Sequence, residues 1–244
     1  MTVLALLSAK HSPGVTTSGL AFTAALAEEG DAVLIEADPA GGDVAVRVGL
    51  ALDPGLVSLA SAGRHDGSGL EVDAHTQALP AGGTVVVGPT THEQANRAVS
   101  TLAGRLSAAV NRHGSHAVVD CGRWVPGSPV DAELATAETV LVVVRPSIEG
   151  IEHVRGRLPA LVQATPGVRL GLLLVGDRPY RPEEVHAALG VGVLGVIPVD
   201  DRGAAAVAGA GSRRVARRCP LVRSARSILD GIAGVSRQPA EARA

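Results

Sequence analysis

Aromatic side chains are almost missing from this chain, with one Trp, one Tyr and one Phe in 244 residues. Stacking of single-stranded bases on aromatic platforms therefore has almost nothing to work with, and the core must be built from Ala, Val and Leu. Cysteine is scarce as well. Cys121 and Cys219 form neither a disulfide framework nor a metal-ligand set, which points to a reduced, cytoplasmic setting. No apolar run reaches the roughly 18 residues of a membrane span. The short apolar run at the start has no basic region ahead of it and does not read as a signal peptide. His65, His75, His92, His113, His116, His153 and His186 are scattered without zinc-site spacing. The formal net charge is −2, so the whole chain is not an electrostatic nucleic-acid binder. Lysine is the scarcest charge. Lys10 is the only one, and every other basic side chain among the 22 Lys and Arg is arginine.

What is present is a 46% hydrophobic chain of a length that suits one or two domains. Short apolar runs recur at Val3–Leu7, Ala32–Ala37, Thr84–Val87, Ala117–Asp120, Thr139–Val144, Leu170–Val175 and Val193–Ile197. They are continuous rather than alternating, as strands buried on both faces of a parallel sheet are. Helical patterns lie between most of them, at Thr16–Glu29, His92–Arg112, Asp131–Ala137, Glu149–Gln163 and Pro182–Leu189. Repeated strand–helix units predict an α/β, doubly wound, mainly parallel sheet. The Gly-, Ser- and His-rich segment Pro54–Pro80 reads as a helix plus a surface loop. No linker or internal repeat divides the chain. One domain over residues 1–235 is expected, with a polar, disordered tail over 236–244.

The first strand runs into Ser8-Ala9-Lys10-His11-Ser12-Pro13-Gly14-Val15-Thr16-Thr17 and then into an alanine-rich helix. This is the place of a phosphate-binding loop, where backbone N–H groups and a helix dipole face an anion. Gly14 permits close approach, and Thr16 stands at the helix start, able to reach Mg²⁺. The P-loop pattern G-x-x-x-x-G-K-[ST] fails at Ala9 and at Val15. Two further strand ends are acidic. Glu36-Ala37-Asp38 closes the second strand, with its carboxylates expected on one face beside the first loop. Asp120 closes Ala117-Val118-Val119-Asp120 and suits a Mg²⁺ water shell. Open α/β sheets bind ligands at such carboxyl ends.

In these residues the chain resembles the ParA/MinD family of deviant P-loop ATPases, whose loop reads roughly G-K-G-G-x-G-K-T-T. Ala9 to Thr17 overlays that loop without a gap; Lys10, Gly14, Thr16 and Thr17 match, and Ala9, His11, Ser12 and Val15 depart. The segment Glu36-Ala37-Asp38-Pro39-Ala40-Gly41 is similar to the family's D-x-D-P-Q-G switch. Val193 to Asp200 is similar to its V-L-G-V-I-P-x-D stretch. Ser12-Pro13-Gly14-Val15-Thr16-Thr17 followed by Glu36 to Asp43 resembles an actinobacterial MinD-like subgroup with a degenerate loop. The resemblance implies ATP and Mg²⁺ as cofactors. It implies Lys10 and Asp38 as catalytic residues, Lys10 reaching across a homodimer and Asp38 orienting the attacking water. Nucleotide contacts would fall to Lys10, Gly14, Val15, Thr16, Thr17, Pro198 and Asp200, and the metal to Thr16, Asp38 and Asp120. The implied work is nucleotide-dependent positioning, in chromosome partitioning or cell division.

Val15 stands where the loop lysine belongs, and it is expected to set an apolar side chain where phosphate charge would lie. Losing one such charge-assisted contact costs about 1.5–3 kcal/mol of binding. Three outcomes stay open: Lys10 folds back onto its own subunit's phosphates, an arginine such as Arg145 or Arg123 substitutes, or the protein is a pseudo-ATPase. The alternative in another class is a non-catalytic scaffold of pilus- or septum-associated type that binds no nucleotide. Near the C-terminus Arg213, Arg214, Arg217 and Arg218 cluster ahead of Leu221, Val222, Ala225, Ile228, Leu229 and Ile232, which recur at helical spacing. This reads as a last amphipathic helix packed on the sheet. The arginines are solvated, or offer a patch for non-specific DNA; a membrane surface fits less well without an aromatic anchor.

Overall fold

The computed structural model describes residues 2–10, 12–65, 70–112 and 114–236. Its strands are β1 (Val3–Ser8), β2 (Ala32–Glu36), β3 (Gln77–Ala78), β4 (Thr84–Val86), β5 (His116–Arg123), β6 (Thr139–Val144), β7 (Arg169–Val175) and β8 (Val193–Ile197). They form one sheet in the order β3-β4-β2-β5-β1-β6-β7-β8. Only β3 runs antiparallel to its neighbour β4. Every residue of β1, β2 and β6 is buried, which explains why their sequences are apolar without alternation.

Successive residues of each strand feed two cores. Val3, Ala5 and Leu7 of β1 pack with Val33, Val119, Val140 and Leu172. That core is closed by α3 (Leu56–His65), α4 (His92–Leu102), α5 (Leu106–Arg112), α6 (Asp131–Leu134), α7 (Ile148–Ala164) and α8 (Pro182–Leu189). Leu4 and Leu6 face the opposite layer with Leu34, Val118 and Leu141. That layer contains α1 (Val15–Leu26), α2 (Val44–Val48), α9 (Asp201–Val207), α10 (Arg213–Arg218) and α11 (Pro220–Ser236). The arrangement is a single doubly wound α/β domain. Helix α1 packs against α11, so it is apolar on nearly all sides. Leu221, Val222, Ala225, Ile228, Leu229 and Ile232 are the buried stripe of α11, as their spacing predicts. Among the described residues no helix is long and apolar enough to cross a membrane.

The predicted helix His92–Arg112 is two helices, parted at Gly104 (φ +73°). A left-handed residue cannot continue a right-handed helix. The Pro54–Pro80 segment holds α3, a 3-10 turn at Val72–His75 and the edge strand β3. Residues 66–69 and the tail 237–244 lie outside the described residues, and Ser236 ends α11.

Candidate functional site

The chain leaves β1 at Ser8 and re-enters helix at Val15. Gly14, the N-cap of α1, takes φ +116°, a conformation glycine adopts without strain. No side chain caps the helix, and its first turn holds no acidic residue. Its first N–H groups have no helical acceptor; the Ser18 N–H bonds the Gly14 carbonyl at 2.8 Å. The helix start is thus a positive, hydrogen-bond-donating end.

It opens on a cleft of about 220 Å³ bordered by Ser8, Ser12, Gly14, Thr16, Thr17, Asp38, Asp43, Arg47, Gly122 and Arg123. Val15 borders it as well, but the residue is 6% exposed and belongs to the core cluster of Leu4, Leu6 and Leu20. The expectation that it stands in the phosphate's place is corrected. Apolar burial turns it beneath the helix, and the cleft lacks a cation there rather than being plugged.

Asp120 is buried at 1% exposure, close to Thr16 and Asp38 of the cleft wall. Its Oδ1 accepts the Gly122 N–H at 3.0 Å, while Oδ2 is buried with no hydrogen-bond partner. Burial raises its pKa to about 6; the nearby Thr16 hydroxyl and the Gly122 N–H pull it down, Asp38 pushes it up and Arg47 lowers it. Asp38 accepts the Ala40 N–H at 2.8 Å. Burial also raises Asp38, against the Ala40 N–H and the Arg123 guanidinium.

Glu36 and Asp38 do not act as the pair their spacing suggested. The Glu36 carboxylate turns away into the following loop, accepting N–H groups from Asp43 (2.6 Å), Val44 (2.8 Å) and Gly88 (2.8 Å). Burial pushes its pKa up to about 7 despite those three donors. Asp38 alone reaches the cleft.

Lys10 is exposed and borders a different cavity of about 470 Å³, with Arg145, Glu149 and His153. It is not part of the cleft wall, and neither is Arg145. Arg123 is. Pro198 and Asp200 border neither space. Asp200 caps α9 by accepting the Gly203 N–H at 2.8 Å, and its Oδ2 is buried without a partner. Arg47, in the cleft wall, escaped sequence reasoning; its only local signal is an arginine a few residues past the acidic Glu36–Asp43 segment. Cys121, next to Asp120, is a core residue whose thiol burial pushes well above the ordinary range.

An orphaned buried carboxylate oxygen beside a threonine hydroxyl, with a second carboxylate on the same cleft, is a hard oxygen set that fits Mg²⁺. The donor-rich helix start above it fits phosphate. The fold, a single α/β domain on an eight-stranded, mostly parallel sheet, matches that of solved ParA and MinD structures. No protein-family model matches the chain, and no curated protein matches it in sequence. Solved structures do match. A ParA family ATPase from Chlorobium tepidum TLS is 19% identical, with TM-score 0.76 over 94% of this chain and 99% of its own. The cell division ATPase MinD of Pyrococcus furiosus is 19% identical, with TM-score 0.74 over 96% of this chain and 100% of its own. The septum site-determining protein MinD of Pyrococcus horikoshii OT3, solved with Mg-ADP, is 16% identical, with TM-score 0.73 over 98% and 99%. At such identities the likeness is one of fold.

Proposed function

We propose that this chain is a ParA/MinD-like, nucleotide-dependent positioning protein of the cytoplasm, with weak hydrolysis or none. The observation that carries this reading is the orphaned Asp120 Oδ2 close to Thr16, which stands in the uncapped first turn of α1. Thr16, Asp38 and Asp120 would hold Mg²⁺. The N–H groups of Val15, Thr16 and Thr17, with Gly14 granting access, would hold phosphate. Asp38, half-buried at the cleft edge, would orient a water. The unpartnered Asp200 oxygen and Pro198 would flank the base. ATP with Mg²⁺ would supply a γ-phosphate whose presence or loss distinguishes two states. Lys10 borders the neighbouring cavity and not the cleft of its own chain, which supports an action across a homodimer rather than a return to its own phosphates. The degenerate loop supports placement in the actinobacterial MinD-like subgroup.

The cargo surface of the reading is the C-terminal arginine group. Arg213, Arg214, Arg217, Arg218 and Arg226 surround Glu28 in an open pocket of about 470 Å³. Glu28 pairs with Arg226 at 2.6 Å and Arg217 at 3.6 Å. Among the described residues no carboxylate lies within 4.0 Å of Arg213, Arg214 or Arg218. Such a surface suits duplex DNA or an acidic protein partner.

The second reading is a non-catalytic scaffold, favoured by the burial of Val15, which leaves residue 15 without a charge to offer. Thermal unfolding separates the two. Binding to the native state alone raises the melting temperature, so ATP with Mg²⁺ is expected to raise it, and Asp120→Ala to remove the rise. No rise at several millimolar ATP sinks the nucleotide reading and leaves the scaffold.

A further inference from the structure

We propose that Arg47 is the in-cis phosphate cation of this site, supplied from α2 in place of a lysine at position 15. This rests on the nucleotide reading above and goes beyond it by assigning the missing charge to a residue outside the loop.

Arg47 Nη2 donates to the Thr17 hydroxyl at 2.9 Å across the cleft, from 30 positions further along the chain. The guanidinium therefore lies over the first turn of α1, where phosphate oxygens meet backbone N–H groups. It borders the cleft together with Thr16, Asp38 and Arg123. Among the described residues no carboxylate is within 4.0 Å of it. One of its five donors is used on Thr17, and the rest of the fork remains for an anion. Arg123, the other cation of the cleft wall, lies near enough to Asp38 to lower its pKa, and its backbone N–H bonds that carboxylate; unlike Arg47, its side chain makes no hydrogen bond to the first turn of α1 among the described residues. Lys10 and Arg145 border the neighbouring cavity.

The placement of Arg47 is built into the fold. The Glu36 carboxylate at the end of β2 takes the N–H groups of Asp43 and Val44 and so pins the start of α2. Gly42 lies so close that a Cβ there would overlap that carboxylate. One turn on, the Arg47 N–H bonds the Asp43 carbonyl at 2.9 Å. The guanidinium is thus delivered by a short helix anchored in the sheet. A planar fork suits phosphate oxygens better than a point charge and can engage two at once.

The test is calorimetric titration of the full chain with ATP, ADP and AMP in Mg²⁺, for wild type, Arg47→Ala, Arg47→Lys and the remote control Arg97→Ala. The expected result is a loss of about ten- to hundredfold in ATP affinity for Arg47→Ala. Arg47→Lys recovers part of it, AMP binding changes little, and the control matches wild type. The melting temperature without nucleotide stays put, because the side chain is exposed. Wild-type ATP affinity in Arg47→Ala overturns the assignment of Arg47 while leaving the nucleotide reading intact. An equal loss for AMP and ATP overturns it too, since that marks a distorted cleft rather than a lost phosphate contact. A wild type that takes up no ATP overturns both.

Discussion

Gly122 leaves its place to Asp38: a Cβ at residue 122 would overlap the Asp38 carboxyl group, and the residue holds φ +58°. The glycine two positions past Asp120 thus admits Asp38 to the cleft. Gly122→Ala is expected to destabilise the fold by at least 1–2 kcal/mol, about the cost of a left-handed non-glycine residue. The excess above that belongs to the clash. In an Asp38→Ala background the excess should vanish, and a double-mutant cycle by chemical denaturation reads it directly. Additive effects would show that the two residues do not meet.

Glu36 predicts a pH dependence with a definite sign. Its pKa lies at about 7 in the fold against an ordinary 4.5. Between those values the folded chain holds a proton that the unfolded chain has released. Stability therefore falls as pH rises through this window and is greatest, for this group, below it. The full shift corresponds to about 3 kcal/mol. Glu36→Gln should flatten the slope of unfolding free energy between pH 5 and pH 7, while lowering stability at pH 5 through imperfect acceptance of three N–H groups. An unchanged slope refutes the assignment.

Asp120→Asn removes a buried charge that has one oxygen without a partner. The raised pKa of about 6 means that ionising this carboxyl costs the fold stability, and that the cost is fully present above that pH. At pH 8 and without Mg²⁺ the variant is expected to be more stable than wild type by roughly 1 kcal/mol or more. It should also lose the Mg²⁺-dependent part of nucleotide stabilisation. Melting curves at pH 8 with and without Mg²⁺ check both halves, and a variant that melts below wild type in metal-free buffer contradicts the first.

The C-terminal arginines predict a salt-dependent affinity for duplex DNA. Each phosphate contact removed should reduce the slope of log K against log salt by about 1. Arg214→Ala and Arg218→Ala lack a carboxylate partner to disturb and should each produce that change. Arg226→Ala should additionally lower stability, because it leaves Glu28 with Arg217 at 3.6 Å. Filter binding of the full chain at several salt concentrations is the measurement. An absence of binding at low salt removes DNA as the partner.

Much of the scaffold was legible along the chain because a strand buried on both faces must be apolar at every position. The seven runs from Val3 to Ile197 all became strands. Strand β3 was not legible, since Gln77 and Ala78 are two ordinary residues held by pairing to Val85 and Thr84 and by the Gln77 amide donating to the Ala51 and Pro54 carbonyls. Helices α9 and α10 are too short for periodicity to show. Gly104 hid a helix break inside a pattern that otherwise continued. At the site, Asp38 and Thr16 border one cleft, and Asp120 lies close enough to both for each to act on its pKa. Glu36 did not join them, because its side chain satisfies the backbone of the loop that follows.

The order of residues by itself determined the doubly wound sheet, the glycine-bearing turn between β1 and α1 and the absence of a lysine at position 15. Burial patterns and turn chemistry are local properties, so they can be read from neighbours in the chain. Tertiary structure decided which charges face the cleft. Val15 turned into the core because the underside of α1 is apolar, Lys10 fell to the cavity beside β6, and Arg47 came over Thr17. That last placement depends on Glu36 holding the start of α2 and the backbone of Gly88, 52 residues away. Contacts across such separations carry no periodic trace in the sequence.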